Sequence, residues 1–268
     1  RSSAASDVYK RQKKVVFYRQ SDIKEDFELN WILCNVTPKG LMNRAHAYKA
    51  IVERNEEQGI DRDDGVNMGL YNYPILMAAD ILLFDTDFVP VGLDQKQHIE
   101  IARDIAHNFN GKYGKCLKEP CDYIDKNNHT LVGLDGRKMS KSYNNTIRLF
   151  TDEATLKKSI FRVVTDSRLP GEPKDADCTV NKLFKLFATK EEADKFEQNL
   201  LNGLGWGDAK KQLFEVANRF ISPMREKFDY YMEHKEEVDE ILKEGALKAE
   251  KVAKEVLARV RKAIGTDR

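Results

Sequence analysis

The chain has 268 residues, of which 41% are hydrophobic and 33% are charged, and its formal net charge is +1. This size and composition allow one large or two smaller domains, each with a genuine core. The balanced charge provides no global field of the kind that marks a general nucleic-acid binder, so any RNA contact is expected to be local.

Cysteine usage and hydropathy indicate a reduced, water-soluble protein. Cys34, Cys116, Cys121 and Cys178 form neither a C-x-x-C pair nor a zinc-finger spacing, which predicts free thiols in a cytoplasmic protein without a metal site of its own. No apolar run approaches the roughly 20 residues of a membrane span. The longest, PILMAADILLF, is interrupted by Asp80.

The amino-terminal quarter predicts a disordered end, a strand and two helical stretches. Residues 1–12, RSSAASDVYKRQ, are polar and patternless, and we expect them to be non-native or disordered. Residues 15–18 have the composition of a short strand, and residues 26–33 that of a helix. A second helical stretch, 41–58, precedes Gly59, a good helix C-cap.

The next segment predicts a helix followed by a strand, a turn and another helix. Pro74 is predicted at the first position of a helix that continues through NYPILMAADILLF. DFVPVG has the content of a buried strand, and it ends at Gly92. Asp94 and Gln97 resemble a capping box, and Ile99 opens an apolar stripe that continues through Ala102, Ala106 and Phe109. Such a turn lies at the carboxyl end of a strand, where open α/β sheets bind ligands.

Asp80 is the first candidate functional residue. Its carboxylate lies between Met77 and a run of apolar residues, and Tyr73 shares the same helix face. A carboxylate in partly apolar surroundings needs a hydrogen-bond donor. That donor is either a backbone amide or a neighbouring Lys or Arg, as in a purely structural role, or a group on a ligand.

Two lysines in a glycine-containing loop form the second candidate. The stretch 133–147, GLDGRKMSKSYNNTI, lacks apolar periodicity and is predicted to be a surface loop. Lys138 and Lys141 carry mobile ammonium groups suited to phosphate oxygens that shift during a reaction. Ser140 and Ser142 add hydroxyl donors. By spacing alone, a solvated basic turn remains the ordinary alternative.

From about residue 151 the pattern is almost entirely helical, with breaks at LPGEPKDAD, at NGLGWGD and at Gly245. The predicted fold is therefore α/β, a partial Rossmann-like nucleotide-binding domain over residues 13–150 followed by an all-helical domain over residues 151–268.

Four motifs together resemble the class I aminoacyl-tRNA synthetases. The second signature of that class, K-M-S-K-S, is intact at residues 138–142. Within the class the chain is similar to the tryptophanyl family through MAADILLF at 77–84, VPVGLDQKQHIE at 89–100, VTDS at 164–167 and the lysine loop at 133–147.

The resemblance implies a tryptophan–tRNA ligase that uses ATP with Mg²⁺, tryptophan and tRNA(Trp), and that forms a homodimer. It implies that Asp80 accepts the indole N–H, a buried polar contact that discriminates strongly against analogues lacking the donor. The other tryptophan-binding residues it implies are Tyr73, Met77, Val89, Val91 and Gln95.

The same resemblance implies an ATP site and a tRNA site. Lys138 and Lys141 would be catalytic, stabilising charge on the leaving pyrophosphate. The implied ATP-binding residues are Gly92, Leu93, Asp94, Leu131, Lys138, Met139, Ser140, Lys141 and Ser142. At Leu93 many relatives carry an acidic residue, so only a main-chain role is carried over. The helical region would bind the anticodon arm.

The first signature of the class, an H-x-G-H type motif, is absent. We therefore expect the chain to lack amino-terminal strands of the nucleotide-binding fold and to be inactive alone. Two other functions stay open: a non-catalytic RNA-binding or interaction protein derived from a synthetase, and a relative of the tyrosyl enzymes.

Overall fold

A computed structural model describes residues 15–124 and 131–267, which form two units. One unit consists of residues 15–124 and 239–267, and we call it the βαβ unit. The other consists of residues 131–238, and we call it the lysine-loop unit. The predicted disordered end at residues 1–12 lies outside the described residues.

Within the βαβ unit, two short parallel strands are joined through a helix. The strands β1 (Phe88–Pro90) and β2 (Cys121–Tyr123) pair with Val89 opposite Asp122, and α5 (Lys96–Tyr113) connects them. This arrangement confirms the predicted α/β class. The remaining helices of the unit are α1 (Lys24–Cys34), α2 (Lys39–Met42), α3 (His46–Glu57), α4 (Met68–Leu82) and most of α10 (Lys235–Ile264).

The apolar stripe of α5 lies in the core of this unit, as predicted. Ile99, Ala102, Ala106 and Phe109 are fully buried, and α5 packs against α4. Burying each large apolar side chain contributes about 1.5–3 kcal/mol, so this face stabilises the segment that carries the candidate turn.

Residues 15–18 do not form the predicted strand. A strand needs a hydrogen-bonded neighbour, but the backbone of Phe17 in this segment lies against helix α10 instead. A Cβ built on Gly245 would lie 1.8 Å from the carbonyl oxygen of Phe17. The prediction that Gly245 breaks the helix was also wrong, because Gly245 is a buried residue within α10. The missing side chain permits the close approach.

Two helix starts differ from the prediction. Helix α4 begins after Asn67, whose side chain accepts the Leu70 N–H at 2.9 Å, so Pro74 lies inside the helix. Gln97 makes no capping box. Its side chain accepts the N–H of His46 at 2.9 Å and donates to a carbonyl oxygen before α3. Long-range partners replaced the local cap.

In the lysine-loop unit, four helices follow the loop in the sequence: α6 (Glu153–Phe161), α7 (Thr179–Phe184), α8 (Lys190–Leu201) and α9 (Trp206–Glu233). Helix α9 packs against α6 and α7. Fully buried side chains from all four of these helices form its core, among them Leu156, Leu183, Phe196 and Leu213.

Residue 150 lies within the lysine-loop unit. Leu134 of the lysine loop is buried in the helical core, and its carbonyl oxygen accepts the Val164 N–H at 2.9 Å. Phe150 stacks on Phe228 with ring centroids 4.7 Å apart. The loop therefore folds with the helices that follow it.

The last helix, in contrast, packs with the amino-terminal half of the chain. Arg259 of α10 pairs with Asp85 at 2.6 Å, and Arg261 pairs with Glu28 of α1. Ala253, Val256 and other buried residues of α10 belong to the core of the βαβ unit. None of the helices in the two described stretches is both long and apolar enough to cross a membrane.

Candidate functional site

Asp80 lies on α4 of the βαβ unit and is held by a side-chain amide. The Nε2 atom of Gln20 donates to both carboxylate oxygens of Asp80, at 2.8 and 2.9 Å. Burial raises the pKa of Asp80, and the hydrogen bonds from Gln20 and Asp26 oppose that shift. The donor is thus neither a backbone amide nor a Lys or Arg, which were the structural alternatives.

Asp26 of α1 is a second carboxyl group beside Asp80. It is only 2% exposed, and no described N–H or O–H group bonds to either of its oxygens. Burial, followed by the charge and hydrogen bond of Asp80, raises the pKa of Asp26 to about 7. Burial and, after it, the negative charges of Asp80 and Asp26 raise the pKa of Tyr18 to about 12.

Tyr73 lies two helical turns before Asp80 and has its own partner. Its hydroxyl group hydrogen-bonds the Nε2 atom of His98 on α5 at 2.8 Å, and the two rings are 5.5 Å apart. Burial lowers the pKa of His98. Met77 lies on the same face of α4, half-buried against the core.

The turn after β1 presents main-chain groups and few buried side chains. Val89 lies within β1, and the Val91 N–H donates to the carbonyl oxygen of Tyr123 at 3.1 Å. The side chain of Leu93 is 75% exposed.

Asp94 and Gln95 close the same turn. The amide of Gln95 donates to the carboxylate of Asp94 at 3.0 Å. At Gly92 an added Cβ would lie 2.7 Å from the Asp94 carboxylate. A side chain at position 92 would therefore crowd the turn, and glycine leaves its backbone open to a ligand.

The lysine loop is a compact hairpin. Val132 bridges Lys138 in antiparallel fashion, and the Met139 N–H donates to the carbonyl oxygen of Leu131 at 2.8 Å. Gly136 has a φ of +79°, which suits glycine at the tip. The loop prediction is confirmed, with a short 3₁₀ turn at Lys141–Tyr143 added.

Asn145 organises this loop from its centre. It is 2% exposed, and its amide donates to Asp135 at 2.7 Å and to the carbonyl oxygen of Lys138 at 3.1 Å. Its side-chain oxygen accepts the Ser140 N–H at 2.8 Å. A Cβ on Gly133 would lie 2.2 Å from the Asn145 amide nitrogen. The glycine therefore makes room for the asparagine.

The two lysines of the loop extend into solvent. Lys138 and Lys141 are exposed, and neither forms an ion pair within residues 15–124 or 131–267. The hydroxyl groups of Ser140 and Ser142 lie 2.8 Å apart. The loop thus presents two uncompensated positive charges and two hydroxyl groups from a frame fixed by Asn145.

The sequence reasoning missed the residues that hold these groups. Asp26 takes a position in the stripe of α1 otherwise filled by Ile23, Leu29 and Leu33, and a charge in an apolar stripe is a signal that could have found it. Gln20 gave no comparable signal. In the part of the chain that the structure describes, no group of three His, Cys, Asp or Glu side chains is arranged for a metal ion.

Comparisons with known proteins agree with this geometry. The model of the family "tRNA synthetases class I (W and Y)" matches residues 6–222. The tryptophan–tRNA ligase of Bordetella parapertussis is 53% identical over 255 residues, covering 94% of this chain and 56% of the relative. That of Neisseria meningitidis serogroup A is 50% identical over 94% of this chain and 76% of the relative.

A solved structure gives the same result. Tryptophanyl-tRNA synthetase from Campylobacter jejuni, complexed with ADP and tryptophan, has a TM-score of 0.83 and is 44% identical over 94% of this chain and 77% of that chain. The chain spans little more than half the length of several curated relatives it matches, such as the Bordetella and Pseudomonas aeruginosa proteins. With its lysine loop and its βαβ unit, the chain belongs to the class I tRNA synthetases of the tryptophan and tyrosine group.

Proposed function

We propose that this chain is part of a tryptophan–tRNA ligase. The observation that carries the proposal is the half-buried Asp80 carboxylate, fixed by Gln20 on the helix face that also carries Tyr73 and Met77. A carboxylate accepts hydrogen bonds and an indole offers one N–H donor in a flat apolar ring, so the two are complementary. Val89, Val91 and Gln95 complete the proposed pocket.

The proposed reaction begins with the tryptophan carboxylate attacking the α-phosphorus of ATP. The bond to the leaving pyrophosphate breaks, and the resulting adenylate then acylates the terminal ribose of tRNA(Trp). No protein nucleophile is required, because positioning and charge stabilisation carry most of the catalysis in such transfers. Lys138 and Lys141 stabilise the charge that builds up on the pyrophosphate, and Mg²⁺ enters with the phosphates.

The remaining proposed contacts are those with ATP and with tRNA. The proposed ATP-binding groups in the βαβ unit are the main chain of Gly92 and Leu93 and the side chain of Asp94. Those in the lysine loop are Leu131, Met139, Ser140 and Ser142. The helical region from residue 151 binds the anticodon arm. A homodimer in the cytoplasm completes the proposal.

The test is amino-acid-dependent ATP–pyrophosphate exchange with tryptophan, tyrosine and phenylalanine. It is performed on this chain and on the full reading frame that contains it. We expect exchange with tryptophan alone in the full frame. Asp80→Asn should reduce the kcat/KM for tryptophan by about 100-fold, because a buried site loses its charged acceptor. Asp87→Asn, an exposed carboxylate paired with Lys118, is the matched control.

Two outcomes would replace the proposal. Exchange with tyrosine would indicate the tyrosyl specificity within the same family. Absence of exchange with any amino acid in the full frame, together with retained RNA binding, would favour a non-catalytic RNA-binding protein.

A further inference from the structure

In the pair formed by Asp26 and Asp80, the buried carboxyl group of Asp26 lacks a hydrogen-bond donor in the described structure. Asp26 is 98% buried by area, and neither of its oxygens receives a donor among residues 15–124 and 131–267. Helix α1, which carries Asp26, packs against helix α4, which carries Asp80, and the negative charge of Asp80 acts on Asp26. Two carboxyl groups can hydrogen-bond only when one of them carries a proton. Ionised together in this apolar setting, they would repel each other.

The position of that proton is decided by the second partner of each group. Asp80 accepts two hydrogen bonds from Gln20, which favour its ionised form. Asp26 has no such donor in the described structure, and it is the more buried of the two carboxyl groups. The proton therefore belongs on Asp26, which donates it to Asp80.

We propose that Asp26 is a positioning residue of the amino-acid site, which holds one proton and uses it to fix Asp80 as an ionised hydrogen-bond acceptor. A carboxylate offers about four lone-pair directions. The Gln20 amide and the Asp26 hydroxyl group occupy some of these and leave an acceptor direction for the N–H group of the ligand. The inference rests on the proposed function for the identity of that ligand.

Few other titratable groups face the pair. The titratable group contributed by α4 is Asp80, a member of the pair. The segment before α1 contributes Tyr18, whose hydroxyl group stays neutral because its pKa is raised. Within α1, Glu25 also has a buried oxygen without a donor in the described structure. Glu25, which is on the same helix as Asp26, interacts electrostatically with Lys254 and Arg261 of α10.

A shared proton has a measurable consequence for binding. When an indole ring covers the pair and excludes water, a second negative charge becomes more costly, so the complex retains the proton more tightly than the free protein does. Binding of tryptophan above neutral pH should therefore take up protons. The affinity should fall as the pH rises above 7.

Isothermal titration calorimetry tests this in the full reading frame that contains the chain. Tryptophan is titrated at pH 8 in buffers of different ionisation enthalpy, so that proton uptake is read directly. We expect net uptake for the unaltered protein and none for Asp26→Asn, whose amide is a permanent donor and should retain affinity within about threefold. Asp26→Leu removes the donor and should weaken binding by about tenfold or more.

A second measurement does not depend on tryptophan. The infrared spectrum of the ligand-free protein at pH 6 should contain the C=O stretch of a protonated, buried carboxylic acid, and Asp26→Asn should remove it. Asp22→Asn is the matched control, since it makes the same carboxyl-to-amide change four residues away, at a side chain that is ionised and paired with Arg19.

The two measurements separate the two ideas. If the acid band is present and depends on Asp26 but tryptophan does not bind, the proposed function fails and the proton-holding pair stands. If tryptophan binds without proton uptake and no acid band depends on Asp26, the pair is overturned and the proposed function survives.

Discussion

The two candidate sites, the lysine loop and the surroundings of Asp80, are built in opposite ways. In the lysine loop, the residues that fix the geometry lie within the same short stretch, with Asn145 bonded to Asp135, Lys138 and Ser140. Around Asp80 the supporting residues come from far along the chain, since Gln20 is 60 positions away. The first site is local and the second is assembled by the fold.

This contrast explains which substitutions each site can tolerate. A local hydrogen-bonded frame keeps its shape as long as its own residues are intact, and it leaves the lysines free to follow a moving charge. An assembled carboxylate site depends on every element that positions it. Such a site discriminates strongly between ligands, because a ligand that leaves its buried polar groups unpaired binds much more weakly.

The largest expected effect tests the function of the local site, the lysine loop. Lys141→Ala should lower the rate of tryptophan activation by about 100-fold or more while changing tryptophan affinity less than threefold, because the lost charge acts on the leaving group. ATP–pyrophosphate exchange and calorimetric binding in the full reading frame measure the two quantities. Lys158→Ala, an exposed lysine of α6, is the control, and an unchanged rate for Lys141→Ala would remove the role.

The next effect tests the assembled side. Gly245→Ala places a methyl group 1.8 Å from the carbonyl oxygen of Phe17, so the segment leading to Tyr18 and Gln20 must move. We expect a loss of about 2–3 kcal/mol in the free energy of unfolding, measured by urea denaturation.

Gly111→Ala in α5 is the matched control, since no atom lies within 4 Å of its added Cβ. It should stabilise the protein by up to about 1 kcal/mol through helix propensity. Equal effects of the two substitutions would show that Gly245 is not a point of close packing.

A somewhat smaller effect tests the local frame. Asn145→Ala removes three hydrogen bonds at once and leaves the Ser140 N–H without its acceptor. We expect a loss of about 2 kcal/mol in the free energy of unfolding, together with impaired exchange activity.

The neighbouring Asn144 provides the control, since it is exposed with a φ of +50°. Asn144→Gly should change stability by no more than about 0.5 kcal/mol, because glycine accepts that conformation. A frame that survived Asn145→Ala with full activity would contradict the local description.

The most gradual effect is a pH dependence of stability between about pH 4 and pH 7 that arises on the assembled side. The pKa of Asp26 is raised from 3.8 in the unfolded reference to about 7 in the folded protein, so between these values the folded state binds the proton and the unfolded state does not. Stability should therefore fall as the pH rises from about 4 to about 7. Asp26→Asn should flatten this slope in urea denaturation across that range, and an unchanged slope would assign the effect to other groups.

The sequence by itself determined the features that depend on neighbours along the chain. The stripe from Ile99 to Phe109, the helix end at Gly59 and the surface character of the lysine loop all follow from local spacing and conformational preference. The family resemblance was likewise contained in short contiguous motifs.

Only the tertiary structure decided the features that depend on residues distant in sequence. It turned residues 15–18 from an expected strand into a segment against α10, turned Gln97 from an expected cap into a long-range partner of His46, and gave Asp80 its neighbours Gln20 and Asp26. The physical reason is common to all three. A buried polar group or a close backbone contact is satisfied by whichever atoms the fold brings near, and local spacing does not specify those atoms.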